Sequence, residues 1–177
     1  MYCVYLGLGS NLGDRVGFLS AAVQQIKLIA EIKAVSSIYE TAPVEMESSY
    51  YFHNMALSVG TTFSPPDFLG QLKNIERLVG RKSYTHLKDR EIDIDILLYE
   101  GMKYRDGAIT IPHPRLPGRR FVLEPLSEIA PDVVHPILHK TMERLLLECE
   151  DENSVVRTNL TVVLPQFSSG SPRAAFH

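Results

Sequence analysis

The chain has 177 residues, of which 45% are hydrophobic, and its formal net charge at pH 7 is −3. This composition predicts one folded domain rather than a disordered chain, and the acidic balance disfavours a nucleic-acid partner. The two cysteines form no disulfide framework, no secretory signal opens the sequence, and no stretch approaches the ~20 apolar residues of a membrane span. We therefore expect a cytoplasmic protein without a membrane segment.

The first hundred residues predict strands and helices in the order β-α-β-β-α-β. Alternating apolar residues and turn signals place strands at 2–11, 32–41, 51–63 and 90–100. Helical spacing and capping residues place one helix at 14–30, with Asp14 as its N-cap, and another at 64–80, with Gly80 as its C-cap. This order is that of the α+β, ferredoxin-like fold.

The later residues add further elements to this core. A hairpin is predicted around Asp106 and Gly107, a short helix from about Arg119, and a last helix at 140–148. We expect a single domain over residues 1–160. The Ser/Gly/Pro-rich end, 161–177, is expected to be a flexible tail.

Positive charge is concentrated in one part of the chain. Residues 81–120 hold nine Lys/Arg and six Asp/Glu, whereas the remainder holds nine basic and fifteen acidic residues. A basic surplus around paired aspartates is typical of a site that holds a polyanion together with a metal. A solvated charged surface is the alternative interpretation.

The paired aspartates, Asp93 and Asp95, lie on the strand predicted at 90–100. Residues two apart on a strand share a face, so both carboxylates point one way while the intervening isoleucines can enter the core. Two neighbouring carboxylates repel each other, and divalent cations such as Mg²⁺ remove that repulsion and can clamp a transferring phosphoryl group. The alternative is a solvent-facing surface on which the aspartates pair with Arg90 or Lys88.

The segment “IPHPRLPGRRF” (111–121) delivers a histidine and three arginines from a backbone that three prolines restrict. The rigid fork of arginine suits phosphate oxygens. The glycines of “GLGSNLGD” are spaced G-x-G-x-x-x-G, which misses the dinucleotide-binding pattern by one residue, and the sequence contains no P-loop motif. We therefore expect arginines and metal to hold any nucleotide.

The segments “LGLGSNLGDR”, “SSIYETAPV”, “FHNMAL”, “REIDIDIL” and “IPHPRLPGRRFVLEPLSEIAP” occur in this order over residues 2–147. In order and spacing they resemble the 6-hydroxymethyl-7,8-dihydropterin pyrophosphokinase family of folate biosynthesis. Members transfer a pyrophosphoryl group from ATP to a pterin alcohol, giving the pterin diphosphate and AMP. The resemblance implies a Mg²⁺-dependent pyrophosphokinase with ATP as co-substrate.

The resemblance also assigns roles by position. The metal ligands, for two Mg²⁺ ions, would be Asp93 and Asp95, which together with Arg81 and Arg90 form the implied catalytic set. The ATP contacts would be Arg81, Arg90, Ile96, Thr110, His113 and Arg119. The pterin contacts would be Thr41, Ala42, Val44, Phe52, Asn54 and Phe121. Two aromatic rings and an amide suit a flat polar heterocycle, whereas ordinary core packing is the alternative for the two phenylalanines.

In the implied reaction the pterin hydroxymethyl oxygen attacks the β-phosphorus of ATP and AMP leaves. Positioning and charge neutralisation should dominate such a reaction. Asp95 is the nearest candidate for a general base, although activation by metal would need none. We expect small-molecule substrates, a monomer, and no nucleic-acid or membrane partner. The resemblance leaves open an association with other folate-pathway enzymes.

The sequence departs from the family pattern between Arg81 and Arg90, in a loop that closes over the substrates in the family. The pattern often has a second arginine soon after the first and ends in a Trp-Gly-Pro-Arg-like run. Here Ser83 and “LKDR” (87–90) occupy those positions, and the loop is about one residue shorter. The departure motivates a second hypothesis, a pterin- or nucleotide-binding module with weakened catalysis. A third, an RNA-binding domain, is disfavoured by the acidic composition and the missing aromatic strand signature.

Overall fold

A computed structural model describes residues 1–44, 46–82 and 88–164. Its strands are β1 (Tyr2–Ser10), β2 (Glu31–Val35), β3 (Tyr39–Thr41), β4 (Phe52–Thr61), β5 (Asp93–Tyr99), β6 (Tyr104–Arg105), β7 (Thr110–Ile111) and β8 (Val155–Arg157). Its α-helices are α1 (Arg15–Lys27), α2 (Pro65–Val79), α3 (Arg120–Ile129) and α4 (Met142–Leu147), and a 3₁₀ turn covers Leu116–Gly118.

The main sheet has six strands in the order β5-β1-β4-β3-β8, and β2 also pairs with β4. All of its pairings are antiparallel. The central order, with β1 between β4 and β5 and with β2 and β3 on the far side of β4, is that of the ferredoxin-like fold. The predicted fold class is therefore confirmed, and β6 and β7 form the predicted hairpin.

The strand predicted at 32–41 is two strands, β2 and β3, because side chains interrupt the ladder between them. The Ser36 hydroxyl accepts the N–H of Ala56 at 2.8 Å, and the Ser36 N–H donates to the carbonyl of Ala56 at 3.0 Å. The Glu128 carboxylate on α3 accepts the next N–H, that of Ser37, at 3.1 Å. Serine side chains that bond locally offer the backbone an alternative to regular pairing.

Both faces of the sheet are covered. The larger core joins alternate residues of β1 and β5, such as Leu6 and Ile94, to apolar side chains of α1 and α2, such as Leu19 and Phe68. A second core on α3 and α4 includes Leu97 of β5. Strand alternation thus gives each face of the sheet its own apolar layer.

The two long helices begin and end close to their predicted limits. Asp14 caps α1 by accepting the N–H of Gly17 at 3.0 Å, although the helix ends at Lys27 rather than at 30. Ser64 caps the N-terminus of α2. Gly80 caps its C-terminus with a φ of 123°, a conformation that other residues adopt only with strain.

The C-terminal part contains more regular structure than the sequence predicts. The helix α3 has ten residues, and β8, which was not predicted, pairs with β3 at the edge of the sheet. Beyond β8 the Val163 N–H donates to the Ser20 hydroxyl of α1 at 3.0 Å. Most of the predicted tail, 165–177, lies outside the described residues. Within the described ranges, the helices are all too short or too polar to cross a membrane.

Candidate active site

Two glycines of β1 form the floor of a cavity on the α3 side of the sheet. Gly9 is paired with Asn54 of β4 on one side and with Asp93 of β5 on the other, and Gly7 likewise lies beside Asp95. A Cβ added at Gly9 would lie 2.8 Å from the Asn54 Oδ1 atom. The glycines of “GLGSN” are therefore strand residues that leave space above the sheet, and they do not form a dinucleotide-binding loop.

This cavity has a volume of about 490 Å³. Twelve of the fourteen site residues predicted from the sequence line it: Thr41, Ala42, Val44, Phe52, Asn54, Arg81, Arg90, Asp93, Asp95, His113, Arg119 and Phe121. The structure thus brings together residues that lie up to 80 positions apart in the chain.

The other two predicted residues do not line the cavity. Ile96 is 3% exposed and packs in the larger core, and Thr110 lies on β7, where it pairs with Arg105. Their expected contacts with the nucleoside stay predictions. So does closure of the lid, because residues 83–87 lie outside the described part of the chain.

Asp93 and Asp95 point into the cavity, as the alternation of β5 predicts. The Asp93 carboxylate accepts from Arg81 Nη1 at 2.6 Å, and Arg90 Nη1 lies 3.5 Å from its second oxygen. The pairing of Asp93 with Arg90 that the alternative interpretation expected is present, but it lies inside a cavity rather than on an open surface. Ile94 and Ile96 lie on the core side of the strand.

The two carboxylates differ in acidity because their neighbours differ. Burial, and after it the adjacent negative charge of Asp93, raises the pKa of Asp95 to about 7. Burial also acts to raise the pKa of Asp93, but Arg90 and Arg81 outweigh it and lower that pKa. The protein therefore compensates the negative charge of Asp95 only in part, and added positive charge at this point would stabilise it.

The donor set suits Mg²⁺ bound together with a substrate. Two carboxylates are the usual protein contribution to such sites, with phosphate oxygens and water completing the coordination. Among the described residues, no cluster of three or more His, Cys, Asp or Glu could hold a metal by itself. The residues Asp93 and Asp95 therefore fit a metal that arrives with a polyphosphate.

Five cationic side chains line the same cavity: Lys73, Arg81, Arg90, Arg115 and Arg119. The Arg90 guanidinium lies 5.4 Å from the ring centre of Phe52, and that of Arg119 lies 5.5 Å from the ring centre of Phe121. The Arg90 Nε atom is buried and has no hydrogen-bond partner in the described part of the protein. This arrangement provides donors for an anion several ångströms across.

Glu76 of α2 lies beneath this cluster and is fully buried. Its Oε1 atom accepts from Lys73 Nζ at 2.9 Å and from the backbone N–H of Ile94 at 2.7 Å, and its Oε2 atom lies 3.2 Å from Arg81 Nη1. Burial raises the pKa of Glu76, and the Lys73 ammonium opposes the shift. The carboxylate thus fixes two of the cationic side chains and the start of β5.

Lys73 and Glu76 were not predicted from the sequence as site residues. The available signal was a glutamate in the apolar stripe of α2, one turn beyond Leu72 and next to Ile75. A charge at a core-facing helical position requires a buried partner.

His113 lies near the start of the arginine-rich segment 111–121 and lines the cavity. Its backbone N–H donates to the Leu97 carbonyl at 2.9 Å, which anchors the segment to β5. Its ring Nδ1 atom accepts the backbone N–H of Arg115 at 3.2 Å. Burial, together with Arg119 and Arg115, lowers the pKa of His113 to about 4. The ring is therefore neutral at pH 7 and carries its proton on Nε2, where it can act as a hydrogen-bond donor.

Another part of the cavity lining suits a flat polar ring. Asn54 is 7% exposed, and its Nδ2 atom donates to the Thr41 hydroxyl at 2.8 Å. Phe52 and Phe121 are only partly buried and line the cavity, so they are not ordinary core residues. Rings and an amide that border one space can stack on a heterocycle and bond to its edge.

Arg120, next to Arg119 in sequence, has a different role. Its Nε atom donates to the carbonyl of Asp151 at 2.8 Å, and one terminal nitrogen donates to the carbonyl of Cys149 at 3.1 Å. It therefore holds the segment after α4 against α3 and does not line the cavity.

The chain is similar in sequence to known proteins of one family. Residues 5–131 match the sequence model of the family described as 7,8-dihydro-6-hydroxymethylpterin-pyrophosphokinase. The chain is 39% identical over 155 residues to the 2-amino-4-hydroxy-6-hydroxymethyldihydropteridine pyrophosphokinase of Aquifex aeolicus, covering 88% of this chain and 94% of that protein. It is 37% identical over 152 residues to a folic acid synthesis protein of Dictyostelium discoideum, covering 86% of this chain but only 23% of that protein.

Among solved structures, the chain is similar to the crystal structure of Plasmodium falciparum HPPK-DHPS with pteroate. The TM-score is 0.69 at 18% identity, over 83% of this chain and 44% of that one, which supports the fold alone. The family expected from the sequence motifs is confirmed by the sequence matches. The chain belongs to the 7,8-dihydro-6-hydroxymethylpterin-pyrophosphokinase family.

Proposed function

We propose that the chain uses this cavity to transfer pyrophosphate from ATP to 6-hydroxymethyl-7,8-dihydropterin, the reaction of its family in folate biosynthesis. Family membership makes the chain a pyrophosphokinase. The observation that carries the assignment to this site is that Asp93 and Asp95 line one cavity together with two groups of side chains. The five cationic side chains are called the cationic wall, and Asn54, Phe52 and Phe121 are called the pterin wall. Each wall suits one substrate, and the carboxylates line the same cavity.

The cationic wall would bind the triphosphate. Arg81, Arg90 and Arg119 supply planar donors that match phosphate oxygens, and neutral His113 adds an N–H without adding charge. The pterin would stack on Phe52 and form hydrogen bonds through its polar edge to the Asn54 amide. The roles of these residues rest on their position in the cavity and on the family resemblance.

The two substrates would meet above the glycine floor. The hydroxymethyl oxygen forms a bond to the β-phosphorus, the bond from that phosphorus to the α,β-bridging oxygen breaks, and AMP leaves with that oxygen. The hydroxyl proton passes to a carboxylate or to water. Holding both reactants in line and neutralising their charge would supply most of the acceleration.

Asp93 and Asp95 would hold Mg²⁺, and we propose two ions, as the family resemblance implies. Bound there, the metal would neutralise the phosphate charge that develops as AMP departs. The two carboxylates on one strand face, together with their incomplete compensation by arginine, support this proposal.

The test is a single assay with a matched variant. Purified protein, ATP, Mg²⁺ and the pterin alcohol should yield AMP and the pterin diphosphate in equal amounts, as measured by chromatography. Asp95→Ala should remove this activity while circular dichroism remains that of a folded protein. Substantial Mg²⁺-dependent activity in the variant would exclude the site, and absence of AMP formation by the unmodified protein would favour a binding module with weakened catalysis.

We also propose that residues 1–160 form one catalytic unit that acts as a monomer in the cytoplasm. The continuous sheet supports the first statement. Sedimentation velocity tests the monomeric state. A dimer at micromolar concentration would contradict it.

A further inference from the structure

The structure contains a carboxylate, Asp89, that precedes the cavity-lining Arg90 and contacts two other loops. Its Oδ1 atom accepts from Asn11 Nδ2 at 2.7 Å and from the Ser48 hydroxyl at 2.6 Å. Asn11 follows β1, and Ser48 belongs to the loop between β3 and β4 that continues from the cavity wall at Val44. One oxygen of Asp89 therefore joins three segments that are far apart in sequence.

The same contacts fix the backbone of the next residue, Arg90. Its N–H donates to Asn11 Oδ1 at 2.8 Å, and its carbonyl accepts the Asn11 N–H at 3.1 Å. Asn11 is 2% exposed, so these bonds are protected from water. With Asp89 orienting the Asn11 amide, the Asn11 side chain presents its oxygen to Arg90 and its nitrogen to Asp89.

The Arg90 side chain is held far less firmly than its backbone. Its nearest contact with Asp93 is 3.5 Å, its Nε atom has no hydrogen-bond partner among the described residues, and its guanidinium lies over Phe52 at 5.4 Å. A guanidinium with an unused donor in a cavity is ready to bind an anion. The direction of the Arg90 side chain depends on where the Arg90 backbone is fixed.

We propose that Asp89 is a positioning residue that acts through Arg90. It connects the loop on the pterin side, through Ser48, to the arginine on the phosphate side. The run in which it lies, “LKDR”, is where the sequence departs from its family's pattern, so the device is a property of this chain. The inference rests on the proposed function of the cavity.

The test compares four variants in the AMP-release assay. Asp89→Ala should lower kcat/KM by roughly 10- to 100-fold, because two charge-assisted hydrogen bonds are lost. Asp89→Asn should stay within about 3-fold of the unmodified protein, because its amide oxygen can accept the same two bonds. Ser48→Ala, which removes one of the two bonds to Asp89, should fall between them. Glu47→Ala removes an exposed charge from the same loop and should leave activity unchanged.

A double-mutant cycle separates positioning from a general structural role. In an Arg90→Gln background, Asp89→Ala should cost less than about 3-fold, because its target is already removed. An equal loss in both backgrounds would overturn the proposal. So would unchanged activity of Asp89→Ala, or an Asp89→Asn variant as damaged as the alanine variant.

Binding of the α,β-methylene analogue of ATP with Mg²⁺, measured by calorimetry, provides a readout that needs no turnover. Asp89→Ala should weaken binding about 10-fold or more, and Asp89→Asn should not. If the unmodified protein forms no AMP, the proposed function fails while this comparison still decides the role of Asp89. Equal affinity of the alanine variant and the unmodified protein would refute that role.

Discussion

Replacing Asp95 by asparagine should stabilise the protein while it removes the activity. Asparagine keeps the shape of the side chain and removes a charge that the cavity compensates poorly. The pKa of Asp95 is about 7 rather than 3.8, and the first cause is burial. An acid whose pKa is raised on folding destabilises the folded state increasingly as pH rises from its unfolded value, and the full penalty is present above its folded value.

The size of the effect follows from that pKa. The difference between the folded and unfolded pKa values of Asp95 corresponds to a destabilisation of at most about 4 kcal/mol at pH 8 in the absence of metal. Water reaches the cavity and screens the charge, so we expect roughly 2 kcal/mol. In a domain of this size that is a rise in Tm of about 4–8 °C.

The assay is thermal unfolding of both proteins in EDTA, at pH 8 and at pH 5. The Tm of Asp95→Asn should exceed that of the unmodified protein, and the gap should be larger at pH 8, where Asp95 is ionised. The rate of AMP release should fall by roughly 10³-fold, because the variant loses a carboxylate that would hold the charge-neutralising Mg²⁺. Asp132→Asn, at an exposed carboxylate outside the cavity, is the matched control and should change neither quantity.

Two results would refute this reasoning. A gap in Tm that does not grow between pH 5 and pH 8 would show that the Asp95 carboxylate is already compensated. Retention of more than about a tenth of the activity would show that its charge is not used in the reaction.

Three further predictions concern other parts of the site. Glu76→Ala should lower the free energy of unfolding by about 3 kcal/mol in urea titrations, because the Lys73 and Arg81 charges lose a buried partner; an unchanged midpoint would contradict this. His113 has a depressed pKa, so its contribution to stability is lost as pH falls from 6.5 through about 4. His113→Gln should reduce that acid-dependent loss of stability by up to about 3 kcal/mol, as measured by unfolding titrations across this pH range. Parallel acid profiles would show that His113 does not titrate this way. Asn54→Ala should raise KM for the pterin at least 10-fold and leave calorimetric binding of the ATP analogue unchanged; an unchanged KM would remove Asn54 from the pterin wall.

Much of the fold could be predicted because its signals are local. The caps at Asp14 and Gly80 and the turn at Asp106 depend only on neighbouring residues. The alternation of β5 likewise predicted which face Asp93 and Asp95 share, because successive strand side chains point to opposite faces wherever the strand is placed. The break between β2 and β3 was missed because it depends on a bond from Ser37 to Glu128, 91 residues away.

The sequence by itself determined the family, the order of the elements and the shared face of the two aspartates. Only the tertiary structure distinguished Arg119, which lines the cavity, from its neighbour Arg120, which anchors the segment after α4. It also placed Lys73 beside the aspartates and opened the cavity above Gly9. The physical reason is that strand register and helix packing are set by contacts between residues far apart in sequence. The spacing of residue types along one chain does not reveal those contacts.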